Sequence, residues 1–174
     1  MRYNELTFQG RNAVLEAFRS GKTIDKLFIL DGCQDGPIKS IVREAKKTDA
    51  IINYVDKERL DRLAGTGHHQ GVVAIVAAYE YAEVEDILAA AKEKGEDPFI
   101  FILDEIEDPH NLGAIIRTAN LAGAHGVIIP KRRAVGLTAT VAKTSAGAIN
   151  YTPVAKVTNI SQTIEELKKQ GLWF

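Results

Sequence analysis

Three residues with side chains suited to catalysis, Asp108, Asn111 and Arg117, lie close together in this 174-residue sequence. They follow an uninterrupted apolar run, residues 99–103, whose composition predicts a parallel strand buried on both faces. Asp108-Pro109 ends that strand, and Asn111 is predicted to begin the helix that follows. Because ligands in open α/β sheets bind at the carboxyl ends of the strands, this group is a candidate active site.

Each of these residues also has a structural interpretation. Asparagine is a favoured helix cap, and this role alone would explain Asn111. Asp108 is suited to accept hydrogen bonds from loop amides, and arginines on helix surfaces, such as Arg117, are commonly solvated or ion-paired. The combined spacing favours a functional role for Asn111 and Arg117, whereas both roles stay open for Asp108.

Five positions of this segment resemble the first motif of the SpoU/TrmH family of RNA ribose 2′-O-methyltransferases, namely Asp108, Pro109, Asn111, Gly113 and Arg117. Residues 143–148 and 153–154 are similar to the family pattern as well. The resemblance implies that Asn111 and Arg117 are catalytic, that S-adenosylmethionine donates the methyl group and that no metal is required. It also implies an α/β methyltransferase domain of the SPOUT type, whose parallel sheet ends in a deep trefoil knot.

A basic turn follows the next predicted strand of the same sheet, residues 126–129. Its cations, Lys131, Arg132 and Arg133, are expected at the same sheet edge as Asn111 and Arg117. Basic turns are usually only solvated, so the position of this one is the reason to predict that it binds an RNA backbone.

The first block, residues 1–76, alternates predicted strands and helices, and Asp56 is predicted to cap one of these helices, as Asn159 is in the second block. Its early Gly10-Arg11 and its late His69-Gln70-Gly71 resemble the substrate-binding domain that precedes some SpoU catalytic domains. That domain is similar in fold to the group of ribosomal protein L30e, which binds RNA. The resemblance implies RNA contacts by Arg11, His69 and Gln70, while a satisfied turn stays an alternative for the last two.

Charge and composition define the predicted domains and exclude several classes of protein. Residues 1–76 carry twelve cations and ten carboxylates (+2), residues 77–97 two and seven (−5), and residues 98–174 eight and six (+2). The acidic segment 77–97 is therefore predicted to be a linker or helix between an L30e-like domain, 1–76, and the methyltransferase domain, 98–174.

No membrane-spanning run or signal region is present, so we expect a cytoplasmic location. The single cysteine, Cys33, and the adjacent His68 and His69 supply no metal-ligand set.

The sequence ends on Leu172-Trp173-Phe174, which is predicted to begin another strand. In the resembled family, a Gly-rich motif with a glutamate and a Ser/Asn-rich motif follow this point, form the knot and bind the cofactor. We therefore expect a C-terminally truncated chain that lacks the knot region and its cofactor-binding residues. Family members are usually homodimers through that region, so a homodimer is expected of the intact protein.

The predicted function of the intact protein is S-adenosylmethionine-dependent methylation of a ribose 2′-oxygen. The likeness is greatest to enzymes that modify a guanosine of large-subunit ribosomal RNA, with transfer RNA as the other candidate substrate. The alternative is a non-catalytic RNA-binding module built on the L30e-like domain. A dinucleotide-binding enzyme is disfavoured, because no Gly-x-Gly-x-x-Gly follows the first strand of either block.

Overall fold

The computed structural model describes residues 6–48, 50–65 and 67–174, so residues 1–5 of the predicted first domain lie outside the described part. The chain forms two compact units, which divide between Ala78 and Tyr79. Each unit is described by itself below.

The first unit contains a four-stranded mixed sheet in the order β1-β4-β2-β3. Its strands are β1 (Leu6–Gln9), β2 (Ile24–Leu30), β3 (Ile51–Val55) and β4 (Val72–Val76), and its helices are α1 (Arg11–Arg19), α2 (Gly36–Lys47) and α3 (Lys57–Ala64). Strand β4 is antiparallel to β1 and β2, whereas β2 and β3 are parallel.

Both faces of this sheet are covered, because side chains alternate between the two sides of a strand. Leu27 and Ile29 of β2 pack with α1 and α2, and Phe28 between them packs with Leu60 of α3. The unit is therefore a three-layer α/β/α arrangement with α1 and α2 on one side and α3 on the other.

The second unit contains three parallel strands in the order β5-β6-β7, which confirms the predicted α/β class with a parallel sheet. The strands are β5 (Ile100–Ile102), β6 (Gly126–Pro130) and β7 (Val154–Val157). The helices are α4 (Val84–Lys94), α5 (Pro109–Leu121), α6 (Ala139–Thr144) and α7 (Ile160–Lys169), with a 3₁₀ turn at Ala148–Asn150. Helices α5 and α6 cover one face of the sheet, and α4 and α7 cover the other.

Two expectations differ from the observed fold. Strand β5 is half-buried and not buried on both faces, because among the described strands it pairs only with β6. The acidic segment contains a helix, α4, which is one of the two predicted alternatives, and its Ile87 packs against Ile128 and Leu167 of the second unit. No strand forms at residues 172–174. Among the described residues, no helix is long and apolar enough to cross a membrane.

Candidate functional site

The candidate site lies at the carboxyl edge of the second unit's sheet. The parallel strands β5 and β6 end at this edge, and the loops 103–108 and 131–138 lead from them into α5 and α6. The sequence-predicted residues Asn111, Arg117 and 131–133 all belong to these loops or to the helix that leaves them.

Asp108, and not Asn111, caps helix α5. The Asp108 carboxylate accepts hydrogen bonds from the backbone amides of His110 (2.6 Å) and Asn111 (3.1 Å), and Pro109 occupies the first helical position. The prediction that Asn111 begins the helix is therefore wrong, because an aspartate before a proline supplies the stronger start signal. The structural role left open for Asp108 is the one observed, and the Asn111 side chain is exposed in the first turn.

Gly113 of the same motif has a packing role. A methyl group built at Gly113 would lie 1.9 Å from Thr144 Oγ1, 2.8 Å from Thr144 Cβ and 2.9 Å from the Ser145 amide nitrogen. Thr144 Oγ1 also donates to the carbonyl of Pro109 (3.2 Å), in the first turn of α5. Only glycine at position 113 thus permits the close contact between α5 and the end of α6.

Asn111 and Arg117 are both exposed on α5 but do not contact each other. The two residues are six positions apart, which corresponds to about 120° around a helix and about 9 Å along it. Within the described ranges, neither side chain has a hydrogen bond or an ion pair with the protein. Both side chains are therefore available to a ligand.

The two loops of the carboxyl edge are joined to each other. Arg133 Nη1 donates to Glu105 Oε1 (2.9 Å), and the Val135 amide donates to the Ile106 carbonyl (2.9 Å). Glu105 and Arg133 both have left-handed backbone conformations, with φ of 55°. Such a conformation costs non-glycine residues about 1 kcal/mol or more, so the surrounding loop contacts must hold it.

The predicted RNA-binding cations therefore differ in availability. Arg132 is exposed, Lys131 is half-buried and makes contacts within the protein, and Arg133 is paired with Glu105. That pair is itself exposed (77% and 61% for the two side chains), and exposed pairs contribute only about 0–1 kcal/mol. A phosphate group would therefore displace Glu105 from Arg133 at little cost.

In the first unit, Arg11 and Gln70 bind each other. The Arg11 amide donates to Gln70 Oε1 (3.2 Å) and Arg11 Nε donates to the Gln70 carbonyl (3.1 Å), while Nη2 is paired with Asp35, the N-cap of α2. An RNA contact by Arg11 would have to use its remaining N–H groups, so it stays a prediction, as does a contact by the exposed Gln70.

His69 has a different environment from the one expected of an RNA-binding residue. It is only 5% exposed, its Nδ1 accepts from the Gly71 amide (3.0 Å) and its Nε2 lies 2.9 Å from Asp61 Oδ1. Since Nδ1 is an acceptor, the ring proton is on Nε2 and is donated to Asp61. Both ring nitrogens are used inside the protein, which favours the alternative of a satisfied turn, and an RNA contact by His69 stays a prediction.

Sequence reasoning missed the partners of these arginines, Asp35 and Glu105. They lie 24 and 28 positions from Arg11 and Arg133, and no local pattern predicts such pairs. Asp35 does carry a readable signal of a different kind, since an aspartate two positions before Pro37 indicates a helix start. For metals, the part of the chain that the structure describes contains no group of three or more potential ligands.

Comparison with known proteins gives two family matches. Residues 9–82 match a family described as RNA 2′-O ribose methyltransferase substrate binding, and residues 98–174 match the SpoU rRNA Methylase family. YacO of Bacillus subtilis (strain 168), named as a TrmH family tRNA/rRNA methyltransferase, is 55% identical over 164 residues, covering 94% of this chain and 66% of YacO. A protein of the same family name from Staphylococcus haemolyticus (strain JCSC1435) is 48% identical over 169 residues, covering 97% of this chain and 68% of that protein.

The chain thus spans about two-thirds of the length of these relatives. Among solved structures, an AdoMet-bound rRNA methyltransferase from Sinorhizobium meliloti is similar, with a TM-score of 0.43 and 23% identity over 93% of this chain and 58% of that one.

Proposed function

This chain belongs to the SpoU/TrmH family of RNA methyltransferases, and on that premise we propose that the whole protein methylates a ribose 2′-oxygen of RNA. The observation that carries the proposal is the exposure of two motif side chains on α5 that have no partner among the described residues. The motif residue Asn111 lies in the first turn, at the carboxyl edge of a parallel sheet, and Arg117 lies about 9 Å further along the helix. Both are exposed and, within the described residues, their side chains are not used to hold the protein together. Within the described residues, Asn111 is not the cap of α5 and Arg117 has no ion pair, so of the structural interpretations only a solvated surface arginine fits, and the test below separates it from a functional one.

The chemical requirement is to activate a weak nucleophile. A ribose hydroxyl must lose its proton as its oxygen bonds to the methyl carbon, and the methyl–sulfur bond breaks. Arginine remains protonated in almost all protein settings, so we assign Arg117 an electrostatic role and not that of a base. Its guanidinium would hold the phosphate beside the target ribose and stabilise negative charge developing on the 2′-oxygen. The proton would leave to that phosphate or to water.

The position of Arg117 on α5 suits this role. Long side chains on a helix lean towards its N-terminus, so a guanidinium at position 117 serves a substrate held near the first turn. Asn111 stands in that turn, where its amide group would orient the ribose by hydrogen bonds. Arg132 and Arg133 of the neighbouring loop would then hold the RNA backbone on either side of the target.

S-adenosylmethionine is the methyl donor that we propose, and it would supply an electrophilic methyl group on a sulfonium. The described residues do not identify its binding site. The only buried side-chain oxygen without a hydrogen-bond partner among them is Thr152 Oγ1. Thr152 precedes β7 and thus lies at the opposite edge of the sheet from Asn111. We therefore assign no residue of this chain to cofactor binding.

The test compares Arg117→Ala with Arg62→Ala in the whole protein. Arg62 is also an exposed helical arginine, but it lies in α3 of the first unit. Removing one charge-stabilising donor from an active site typically lowers turnover by about 100-fold or more, so Arg117→Ala should do this while Arg62→Ala keeps normal turnover. The circular dichroism of both variants should be that of the wild type, and Arg117→Ala should lose no more RNA affinity than one phosphate contact contributes.

Near-normal turnover of Arg117→Ala would refute the assignment. RNA binding without methyl transfer by the wild-type protein would instead favour the non-catalytic RNA-binding module.

The RNA substrate, the oligomeric state and the location of the whole protein are proposals on the same basis. We propose a guanosine of large-subunit ribosomal RNA as the substrate, a homodimer as the active form and the cytoplasm as its location. Supplying ribosomal RNA and transfer RNA in separate reactions distinguishes the substrates, because the relatives' names include both classes. Methylation of transfer RNA alone would contradict the ribosomal assignment, and sedimentation as a monomer would contradict the homodimer.

A further inference from the structure

Helix α2 of the first unit presents a row of cations that the proposed active site does not use. Lys39, Arg43, Lys46 and Lys47 recur at the spacing i, i+4, i+7 and i+8, which places them on one side of a helix. With Val42 they line a shallow surface depression of about 420 Å³. We call these four cations the α2 basic face.

The charge of the first block is concentrated on this helix. Helix α2 contains these four cations and one carboxylate, Glu44, which leaves +3, whereas residues 1–76 as a whole carry only +2. Glu44 accepts from Lys47 (3.0 Å) and lies 3.8 Å from Arg43 Nε. Among the described residues, the side chains of Lys39 and Lys46 have no ion pair. The face therefore keeps a net positive charge.

Helix stability alone does not explain this arrangement. Cations in the last turn, Lys46 and Lys47, are favourable for the helix dipole, but a cation in the first turn is unfavourable. Lys39 lies in the first turn, directly after the amide of Ile38 that the N-cap Asp35 binds. The opposite side of α2 is fixed in the core through Ile41 and Ala45, which are fully buried. The basic face is thus held on a rigid element.

We propose that the α2 basic face binds the phosphodiester backbone of the substrate RNA, away from the nucleotide that is methylated. The proposal rests on the RNA-directed function above and specifies the surface of the substrate-binding domain that holds the strand. Residues 39 to 47 extend over about 12 Å of helix, enough for more than one phosphate. The depression is lined by cations and one valine, with no aromatic side chain on which a base would stack. We therefore expect backbone recognition that depends on salt and little on sequence.

The test uses two charge-matched triple variants of the whole protein. Lys39→Gln, Arg43→Gln and Lys46→Gln are combined in the first, which spares Lys47. The control combines Lys57→Gln, Arg59→Gln and Arg62→Gln, all on α3, and so removes three cations from the opposite side of the same sheet. RNA affinity is measured over a range of salt concentrations, and methyl transfer is measured over a range of RNA concentrations.

In a plot of the logarithm of RNA affinity against the logarithm of salt concentration, the slope of the first variant should be smaller in magnitude by about 2. Each of the three lost phosphate contacts contributes about 0.7 to this slope for a single strand. It should weaken RNA binding by about tenfold or more at moderate salt, raise KM for RNA and leave kcat unchanged, while the control behaves as the wild type. Equal losses in both variants, or an unchanged salt dependence in the first, would overturn the proposal. A wild-type protein that binds RNA through this face but transfers no methyl group would refute the proposed function and leave the binding surface intact.

Discussion

Replacement of Gly113 with alanine tests the packing that positions the motif helix. In an open helical position, glycine to alanine stabilises a protein by up to about 1 kcal/mol. At Gly113 the new methyl group would instead lie 1.9 Å from Thr144 Oγ1 and 2.9 Å from the Ser145 amide nitrogen, where ordinary contacts begin at 3.4 Å. Rotation of the Thr144 side chain relieves the contact with Oγ1, but not the contacts with Thr144 Cβ (2.8 Å) and the Ser145 nitrogen (2.9 Å). These require α5 and α6 to separate by about 0.6 Å.

The expected cost follows from these contacts. Overpacking of this kind costs about 1–3 kcal/mol, and turning the Thr144 hydroxyl away from its carbonyl acceptors, Thr140 (2.9 Å) and Pro109 (3.2 Å), adds about 1 kcal/mol. The gain in helix propensity offsets about 1 kcal/mol. We therefore expect Gly113→Ala to destabilise the second unit by about 1–3 kcal/mol.

Native-state hydrogen exchange of the α5 and α6 amides is the appropriate assay, because it reports the second unit separately from the first. Gly36→Ala is the matched control, since Gly36 lies in the first turn of α2 and nothing is within 4 Å of a methyl group built there. Thr144→Ala combined with Gly113→Ala should restore only part of the stability, because it removes the 1.9 Å contact with Oγ1, whereas the contacts with Cβ of residue 144 (2.8 Å) and with Ser145 (2.9 Å) persist. A Gly113→Ala protein as stable as the wild type would refute the reasoning.

Three further substitutions test other parts of the structure. Asp108→Ala should lower the stability of the first turn of α5 by about 1 kcal/mol, measured by amide exchange, whereas Asp108→Ser should lose less; equal protection in all three proteins would contradict the cap. His69→Ala should destabilise the first unit by about 2 kcal/mol, because the buried Gly71 amide loses its hydrogen-bond acceptor. If the denaturation midpoint is unchanged and RNA affinity is lost, His69 instead contacts RNA. Gly126→Ala should destabilise the second unit, because the new methyl group would lie 2.5 Å from Ile87 Cδ1. Adding Ile87→Ala should relieve this clash. If it does not, the packing of α4 on β6 is contradicted.

Local signals in the sequence were sufficient for most helices and strands. Asp56 was predicted to cap α3, and its carboxylate accepts from the Arg59 amide (2.7 Å). Asn159 was predicted to cap α7, and its side chain accepts from the Gln162 amide (3.1 Å). Both contacts span three residues, so neighbouring sequence alone determines them.

The same local reasoning was incomplete where the outcome depended on distant residues. The residue type of Asn111 predicts a helix cap, but Asp108, which precedes Pro109, occupies that position. The apolar run at 99–103 predicted burial on both faces, yet burial depends on how many strands flank β5. The contact of Gly113 with Thr144 joins positions 31 residues apart and required the packed helices to be seen.

In the candidate site, too, some features follow from the local sequence and others depend on distant residues. The motif around Asn111 and Arg117 was readable from residue type and spacing, and so was its place after a parallel strand. The availability of each side chain was not, because Glu105 and Asp35 approach Arg133 and Arg11 only in the folded chain. The row of cations on α2 was readable from its helical spacing, but its significance depends on which side of the helix enters the core.

The most direct test of the central claim is the position of the methyl group in RNA treated with the whole protein and S-adenosylmethionine. Alkali cleaves RNA through attack of the 2′-oxygen on the adjacent phosphate, so a methylated 2′-oxygen leaves an alkali-resistant dinucleotide. The account predicts that the transferred methyl group is recovered in such dinucleotides, and that Arg117→Ala reduces their yield by about 100-fold or more. Recovery of the methyl group on a base, in alkali-sensitive mononucleotides, would contradict it.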